Sequence, residues 1–281
     1  MALSSLIRNC SDPSKLSLWF FCVNYTKQEK LKLENHLKKE DFSGNFKFID
    51  FDPYSTFGSF RSLHGDWTCY GRLLIADYLQ VSKVLYLDSD IVVEEDVLKL
   101  ENFDFEGLPV AAVGGGKFRY TLGHNFYMNR VGIDPDLDYF NAGVILLNLE
   151  QWRLQGVKQK CLEIARRFPK ELPSHDQSIL NILCSGNFGK LPSAFNCEWA
   201  AADLKPTVAS NMIFHFIGSP KPWDPFGFLI HNGYSTWIKY VHKDMYSHLG
   251  SFKVKNLKRA WEIRRSYIRS LQNRLLSLKD G

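Results

Sequence analysis

Apolar residues occur along the chain in short blocks separated by charged segments that favour helices. The blocks at 16–23 and 45–51 are rich in aromatic and aliphatic residues, as strands are, whereas the segment from about Lys27 to Lys39 has the composition of a helix. Strand, helix and strand in this order predict a β-α-β unit.

The same alternation continues to about residue 218. It predicts a helix over 66–80, which Asp66 caps and whose face carries Trp67, Tyr70, Leu74 and Tyr78, strands over 83–87, 109–113, within 139–153 and over 212–218, and a short helix over 175–186. The strands are apolar throughout instead of alternating, which is typical of strands covered on both faces. The pattern therefore predicts an α/β fold with a mixed, mostly parallel sheet flanked by helices.

The composition fits one compact domain, since the chain has 281 residues, of which 45% are hydrophobic and 23% charged. We expect this domain over 1–250 and an appended C-terminal segment over 251–281. The longest apolar runs are too short to span a bilayer and the N-terminus lacks a signal-peptide pattern, so we expect a cytoplasmic protein. The six cysteines form no CxxC pair, which is typical of isolated reduced thiols.

The net charge of +5 is concentrated at the C-terminus, because residues 252–281 contain nine Lys or Arg and two acids. The remaining chain carries −2, a composition that excludes a nucleic-acid-binding surface there. Apolar residues recur in this tail at helical spacing, interrupted by Arg264: Leu257, Trp261, Ile268, Leu271, Leu275 and Leu278. A basic amphipathic helix predicts peripheral binding to an anionic membrane surface, the inner face for a cytoplasmic protein. The alternative is that the apolar stripe packs on the body of the protein.

Two carboxylates directly follow the apolar run at 84–87. Because residues i and i+2 of an extended chain point to the same side, Asp88 and Asp90 can face one point beyond the strand end, where ligands of open α/β sheets bind. Two like charges held together need a cation or a shared proton, and hard oxygen ligands suit Mg²⁺ or Mn²⁺, which also bind phosphates. The alternative is a surface turn, in which aspartate is simply a good turn former.

The segment HFIGSPKPWDP, residues 215–225, supplies further groups for a metal–phosphate site. His215 lies at a predicted strand end, Gly218 permits close backbone approach, and Lys221 adds a cation. A histidine on an apolar strand is more often a core residue, but its combination with the glycine, the lysine and two prolines favours a site.

The chain resembles the glycosyltransferases of family 8, the group of glycogenin and the bacterial lipo-oligosaccharide galactosyltransferases. The resemblance runs from about Leu3 to Pro225 and rests on YGRLLIADYL…KVLYLDSDIVV, YFNAGVILLNLEQWR, HDQSILN, LPSAFNC and HFIGSPKPW, in the family's order. It implies a GT-A fold, dependence on Mn²⁺ (or Mg²⁺) and a UDP-sugar donor. It also implies transfer of a hexose, glucose or galactose, to a glycan or lipid-linked glycan with retention of anomeric configuration.

The resemblance implies a role for each matching residue. The implied roles are metal ligand for Asp88, Asp90 and His215, diphosphate contact for Gly218 and Lys221, other substrate contact for Arg72, Ser89, Asn141, Ala142 and Asp176, and catalytic position for Asp176 and Gln177. Some have simpler interpretations: Arg72 pairing with Asp77 or solvent, and Asp176 capping the helix that it begins.

Three features qualify the resemblance. Residues 1–9 match a helix that follows the family's first strand, so we expect a gap in the sheet, and either an upstream start or a weakly active relative. The run Gly114–Gly116 stands where family members often carry a polar sugar contact, which leaves the choice of sugar open. Gln177 is a poor nucleophile, so front-face departure and attack are favoured over double displacement.

Two other functions are also compatible with the sequence. A haloacid dehalogenase-type phosphatase also places a DxD motif after an apolar strand, with Asp88 as nucleophile and Asp90 as acid/base, although the chain offers no good acidic partner motif. The second alternative is a relative of the family that binds a sugar nucleotide but has weak catalytic activity.

Overall fold

The computed structural model describes residues 1–63, 65–243 and 254–277. The chain forms two compact units. The terminal unit comprises Met1–Ser11, Asp88–Glu101 and Ser193–Gly281, and the middle unit comprises Asp12–Leu87 and Asn102–Pro192. The predicted division into 1–250 and 251–281 stays a prediction.

Strands and helices alternate in the described residues, as the sequence pattern predicted. The strands are β1 (Ser17–Cys22), β2 (Asn45–Asp50), β3 (Lys83–Leu87), β4 (Ile91–Val93), β5 (Val110–Val113), β6 (Gly116–Lys117), β7 (Asp138–Tyr139), β8 (Val144–Asn148), β9 (Gly189–Leu191), β10 (Cys197–Glu198) and β11 (Ile213–His215). The α-helices are α1 (Ala2–Asn9), α2 (Lys27–Lys39), α3 (Pro53–Phe57), α4 (Ile75–Tyr78), α5 (Leu149–Leu154), α6 (Val157–Arg167), α7 (His175–Cys184), α8 (Gly227–Ile230), α9 (Tyr234–Ile238), α10 (Val254–Glu262) and α11 (Arg264–Ser277).

The first β-α-β unit is confirmed. β1 and β2 pair in parallel over their full length, and α2 connects them. A capping box fixes the start of α2, because the Thr26 hydroxyl accepts from Glu29 N at 3.2 Å and the Glu29 carboxylate accepts from Thr26 N at 2.8 Å.

The main sheet of the middle unit has the strand order β3-β8-β5-β9. β8 runs antiparallel to β3 and β5, and β5 pairs with β9 in parallel, so the sheet is mixed but less parallel than the apolar strands suggested. β5 and β8 are largely buried, as predicted, whereas β1, β2 and β3 are only partly covered. Among the described strands β1 and β2 pair only with each other.

The predicted helix over 66–80 differs in the structure. Thr68–Leu74 is a 3₁₀ helix that continues as α4, because Thr, Cys and Gly in its first half are weak α-helix formers. The Asp66 carboxylate accepts from Thr68 N at 2.7 Å, so its predicted capping position is close to correct. Tyr78, which we placed on the same face as Tyr70 and Leu74, is 42% exposed, whereas those two residues are buried.

A small antiparallel pair in the middle unit carries a charged cluster. β6 pairs with β7, with Lys117 opposite Asp138. The amino groups of Lys117 and Lys190 lie 2.6 Å and 2.7 Å from the Asp138 carboxylate, and these hydrogen bonds lower the pKa of Asp138 to about 2.

The terminal unit is built on the strand order β10-β11-β4, with α1 on β4. The Asn9 amide donates to Val93 O at 2.9 Å, and the Ser5 hydroxyl accepts from Val93 N at 2.8 Å. These bonds pair backbone groups of β4 that its strand neighbour leaves open. The core of this unit is aromatic and contains Trp199, Phe214, Phe216 and Trp237.

The basic tail forms two helices in place of one, α10 and α11. Ile263 lies between the two helices and is buried. The break between the helices falls next to Arg264, the residue that interrupts the apolar spacing in the sequence. The predicted apolar stripe faces outward: Leu257, Trp261, Ile268 and Leu271 are 55%, 69%, 55% and 46% exposed. The Leu275 side chain and Leu278 lie outside the described residues.

Within those described ranges, no helix combines the length and apolar character that a membrane span requires.

Candidate active site

Strand pairing in the terminal unit brings His215 next to the two aspartates. β11 runs antiparallel to β4 with His215 opposite Ile91, and Phe216 N donates to Asp90 O at 3.0 Å. Since β11 ends at His215 and β4 begins just after Asp90, the imidazole and both carboxylates lie at the same end of this strand pair.

The three predicted metal ligands form a cluster. His215 Nε2 lies 3.3 Å from Asp90 Oδ1 and 3.9 Å from Asp88 Oδ2, and one ligand atom of each residue lies within 4.8 Å of the others. Burial alone would raise the pKa of Asp90, but the hydrogen bonds and charges of His215 and Lys221 hold the pKa of this carboxyl well below its usual range. Asp90 is therefore a carboxylate at neutral pH, as a metal ligand must be.

Asn196 orients the histidine, which the sequence analysis did not predict. Its side-chain oxygen lies 3.1 Å from His215 Nδ1, and His215 is 5% exposed. When a metal ion is bound and Nδ1 donates its proton to Asn196, the lone pair of Nε2 is available to the metal. Metal-binding histidines commonly have such a partner on the second nitrogen, and the LPSAFNC motif, which contains Asn196, is the signal that could have revealed it.

The segment after β11 places a lysine in the same cluster. Lys221 Nζ lies 2.7 Å from Asp90 Oδ2 and also donates to Phe216 O. Gly218 has φ of +65°, a conformation that L side chains rarely adopt, so a glycine suits this turn. The predicted diphosphate contacts thus lie on one short loop, residues 216–225, which we call the diphosphate loop.

Arg72 and Asp176 form a buried ion pair in the middle unit. Arg72 Nε lies 2.7 Å from Asp176 Oδ2, and both side chains are less than a tenth exposed. Arg72 also donates to Ala142 O, and its guanidinium lies 4.2 Å from the centre of the Tyr86 ring. Asp77, which we considered as a partner of Arg72, pairs with Lys158 at 2.5 Å, and Asp176, which we considered as a helix cap, lies within the first turn of α7, whose N-cap residue is Ser174.

Gln177 connects α7 to the turn before β8. Its side-chain oxygen accepts from Ala142 N at 2.9 Å, and its nitrogen donates to Tyr139 OH at 2.9 Å. One helical turn later the buried Asn181 bonds both backbone groups of Phe140 at 2.9 Å. Asn181 and Tyr139 were not predicted as site residues, because their partners depend on how α7 packs against this turn.

The backbone immediately before Asp176 is strained. His175 is a buried residue with φ of +51°, and its Nε2 lies 3.1 Å from Ser62 O. Non-glycine residues in this region are uncommon and cluster at functional sites. This residue directly precedes Asp176, the ion-pair partner of Arg72.

Two further predicted residues, Asn141 and Ser89, lie in a turn and on the surface. The Asn141 side chain accepts from Gly143 N at 2.8 Å and so shapes the turn that leads into β8. Ser89 is exposed between Asp88 and Asp90.

The chain belongs to glycosyl transferase family 8, because the model of this family matches residues 1–226. The predicted resemblance and its range are thereby confirmed. The haloacid dehalogenase-type alternative is not favoured, since residues 1–226 match the model of another family.

Similar proteins agree with this assignment. General stress protein A of Bacillus subtilis is 24% identical over 88% of this chain and 86% of that protein. Lipopolysaccharide 1,3-galactosyltransferase of Salmonella typhimurium and lipopolysaccharide glucosyltransferase WaaO of Escherichia coli are 28% and 30% identical over 58% and 56% of this chain, about half the length of each enzyme.

The structure of the galactosyltransferase LgtC, solved with donor and acceptor sugar analogs, has a TM-score of 0.72 and covers 88% of this chain and 93% of its own. At 24% identity this likeness concerns the fold, and it confirms the predicted GT-A architecture.

Proposed function

We propose that the protein transfers a hexose, glucose or galactose, from a UDP-sugar to a glycan or lipid-linked glycan, with a divalent metal ion. The observation that carries this proposal is the convergence of Asp88, Asp90 and His215 within 4.8 Å, with Lys221 on the same carboxylate. Three anionic or neutral donors and one cation beside them suit a metal-bound diphosphate better than they suit an isolated surface turn.

The residues fit the proposed metal. Two carboxylates and one imidazole are a donor set that Mn²⁺ accepts, and the Asn196 contact leaves His215 Nε2 available for it. When bound, the ion would offset negative charge on the departing diphosphate. Lys221 would exchange its contact with Asp90 for a phosphate oxygen, and Gly218 would allow the backbone to approach that phosphate.

We propose that the polar cluster of the middle unit contacts a sugar of the substrate. The charge of Arg72 is held by Asp176, and the turn Asn141–Ala142 is fixed by the Gln177 amide. Polar groups that are already held in place can orient a sugar without losing further conformational entropy on binding.

The engaged side chain of Gln177 supports retention by front-face attack. Both ends of its amide are engaged, and an amide is a weak nucleophile in any case. In this mechanism the leaving diphosphate oxygen takes the proton of the acceptor hydroxyl, and Gln177 positions the backbone beside the reactive carbon.

We further propose that the tail binds an anionic membrane surface and brings the enzyme to a lipid-linked acceptor. Leu257, Trp261, Ile268 and Leu271 are exposed large apolar residues on α10 and α11, and both helices are rich in Lys and Arg. Apolar side chains among cations match an interface between acyl chains and anionic headgroups.

The test is UDP release from a panel of UDP-sugars with and without Mn²⁺, by the natural protein, Asp88→Asn, and the matched control Asp203→Asn, which alters an exposed aspartate of the same unit. We expect metal-dependent release from one hexose donor, lost in Asp88→Asn and kept in the control. Binding of a UDP-sugar without turnover would identify a catalytically weak relative, and neither binding nor turnover would contradict the proposal.

A further inference from the structure

The first C-terminal helix contacts the diphosphate loop through one arginine. Arg259 on α10 directs its guanidinium at Asp224, with Nε 3.2 Å from Oδ1 and an Nη 3.4 Å from Oδ2. The same Nη lies 3.3 Å from the Ser219 hydroxyl. Arg259 therefore contacts the loop at two positions, Ser219 and Asp224.

Asp224 passes this contact on to Lys221. Its Oδ2 accepts from Lys221 N at 2.7 Å, so one carboxylate holds the backbone of the lysine and the guanidinium of Arg259 together. The Asp224 side chain is 7% exposed, and a carboxylate so buried depends on charged partners. The Lys221 amide is the other hydrogen-bond donor to this carboxylate among the described contacts of the chain.

The position of Lys221 depends on this loop conformation. Its Nζ reaches Asp90 Oδ2 at 2.7 Å, at the edge of the proposed metal site. Tyr267 on α11 donates to Pro225 O, which adds a second bond from the tail to the same loop. Both C-terminal helices thus contact the segment that carries the proposed diphosphate residues.

We infer that Arg259 is a positioning residue of the donor site, and that α10, which carries it, is an integral part of that site as well as a candidate membrane anchor. By neutralising and orienting Asp224, it selects the loop conformation in which Gly218 and Lys221 meet a nucleoside diphosphate. This inference rests on the proposed function for its ligand, although the loop contact itself does not.

The experiment compares Arg259→Ala, Arg259→Lys and the control Arg265→Ala, an exposed arginine with the same change in charge. We measure the Kd for UDP with Mn²⁺, KM and kcat for the UDP-sugar, and hydrogen exchange of the amides in 216–225. For Arg259→Ala we expect the Kd and KM to rise on the order of tenfold, kcat to change by less than about twofold, and the loop to exchange faster. Arg259→Lys, which keeps the charge but loses the fork, should fall between the natural protein and Arg259→Ala.

A merely structural role would lower the melting temperature and the active fraction, and with them kcat, while Kd and KM stay unchanged. That result, or unchanged exchange in the loop, overturns the inference. Exchange can be measured even if no UDP-sugar is turned over. Faster exchange in Arg259→Ala without any UDP binding by the natural protein would overturn the diphosphate role of the loop and the proposed function, while the contact of Arg259 with the loop would stand.

Discussion

The buried pair Arg72–Asp176 makes a quantitative prediction for the stability of the middle unit. Replacing Asp176 by Asn keeps the shape but removes the charge that compensates the guanidinium. Arg72 and Asp176 side chains are 7% and 5% exposed, so water cannot replace the lost partner. Breaking a buried pair on one side costs about 3–5 kcal/mol of unfolding free energy.

The chain offers a matched control in the same unit. Asp77 pairs with Lys158 at 2.5 Å, as closely as Asp176 pairs with Arg72, but its side chain is 40% exposed. An exposed pair contributes ~0–1 kcal/mol because solvent screens it. Asp77→Asn therefore makes the same chemical change and should have a small effect.

Urea unfolding followed by circular dichroism measures both variants, with separate fits if the two units unfold separately. We expect Asp176→Asn to be destabilised several times more than Asp77→Asn. Equal, small losses would refute the claim that Arg72 and Asp176 form a desolvated pair.

Three other outcomes follow from individual contacts. Asn196→Ala should weaken Mn²⁺ binding by about 10–100-fold in calorimetry because His215 loses the partner that orients it, and an unchanged affinity would contradict that role. Trp261→Ala should weaken binding to vesicles containing anionic lipid on the order of tenfold, whereas Leu204→Ala should not, although Leu204, in the same unit, is 84% exposed and Trp261 only 69%. The lowered pKa of Asp138 stabilises the fold above about pH 4, a gain lost as the pH falls toward 2. Between these pH values the free energy of unfolding of Asp138→Asn should depend less on pH than that of the natural protein. Identical pH dependence in the two proteins would count against the two lysine contacts.

Local signals were sufficient for the first part of the fold. The capping box at Thr26 and Glu29 and the apolar runs on either side specify β1, α2 and β2 without any distant contact. The helix over 66–80 was less predictable. We predicted which residues share a face from the spacing of an ideal α-helix. Because its first half contains weak helix formers, Thr68–Leu74 is a 3₁₀ helix instead, and Tyr78 in the following α4 is exposed.

The candidate site shows the same division. Asp88, Asp90 and His215 could be predicted because each lies at the end of an apolar run and in a family motif. Asn196 and Asn181 could not, because asparagine gives no periodic signal and their partners are set by strand pairing and by helix packing. Arg259 and Asp224 are 35 positions apart in the sequence, so their contact could not be predicted locally. The charge pattern around Arg259 indicated only a basic tail.

The most direct test of the central claim is the count of Mn²⁺ ions bound per chain in the presence of UDP, measured by electron paramagnetic resonance. We predict one ion in the natural protein and in Asp203→Asn, and none in Asp88→Asn or Asp90→Asn at the same concentrations. An unchanged count in the two site variants would show that these carboxylates do not hold the metal, and the proposed donor site would then be wrong.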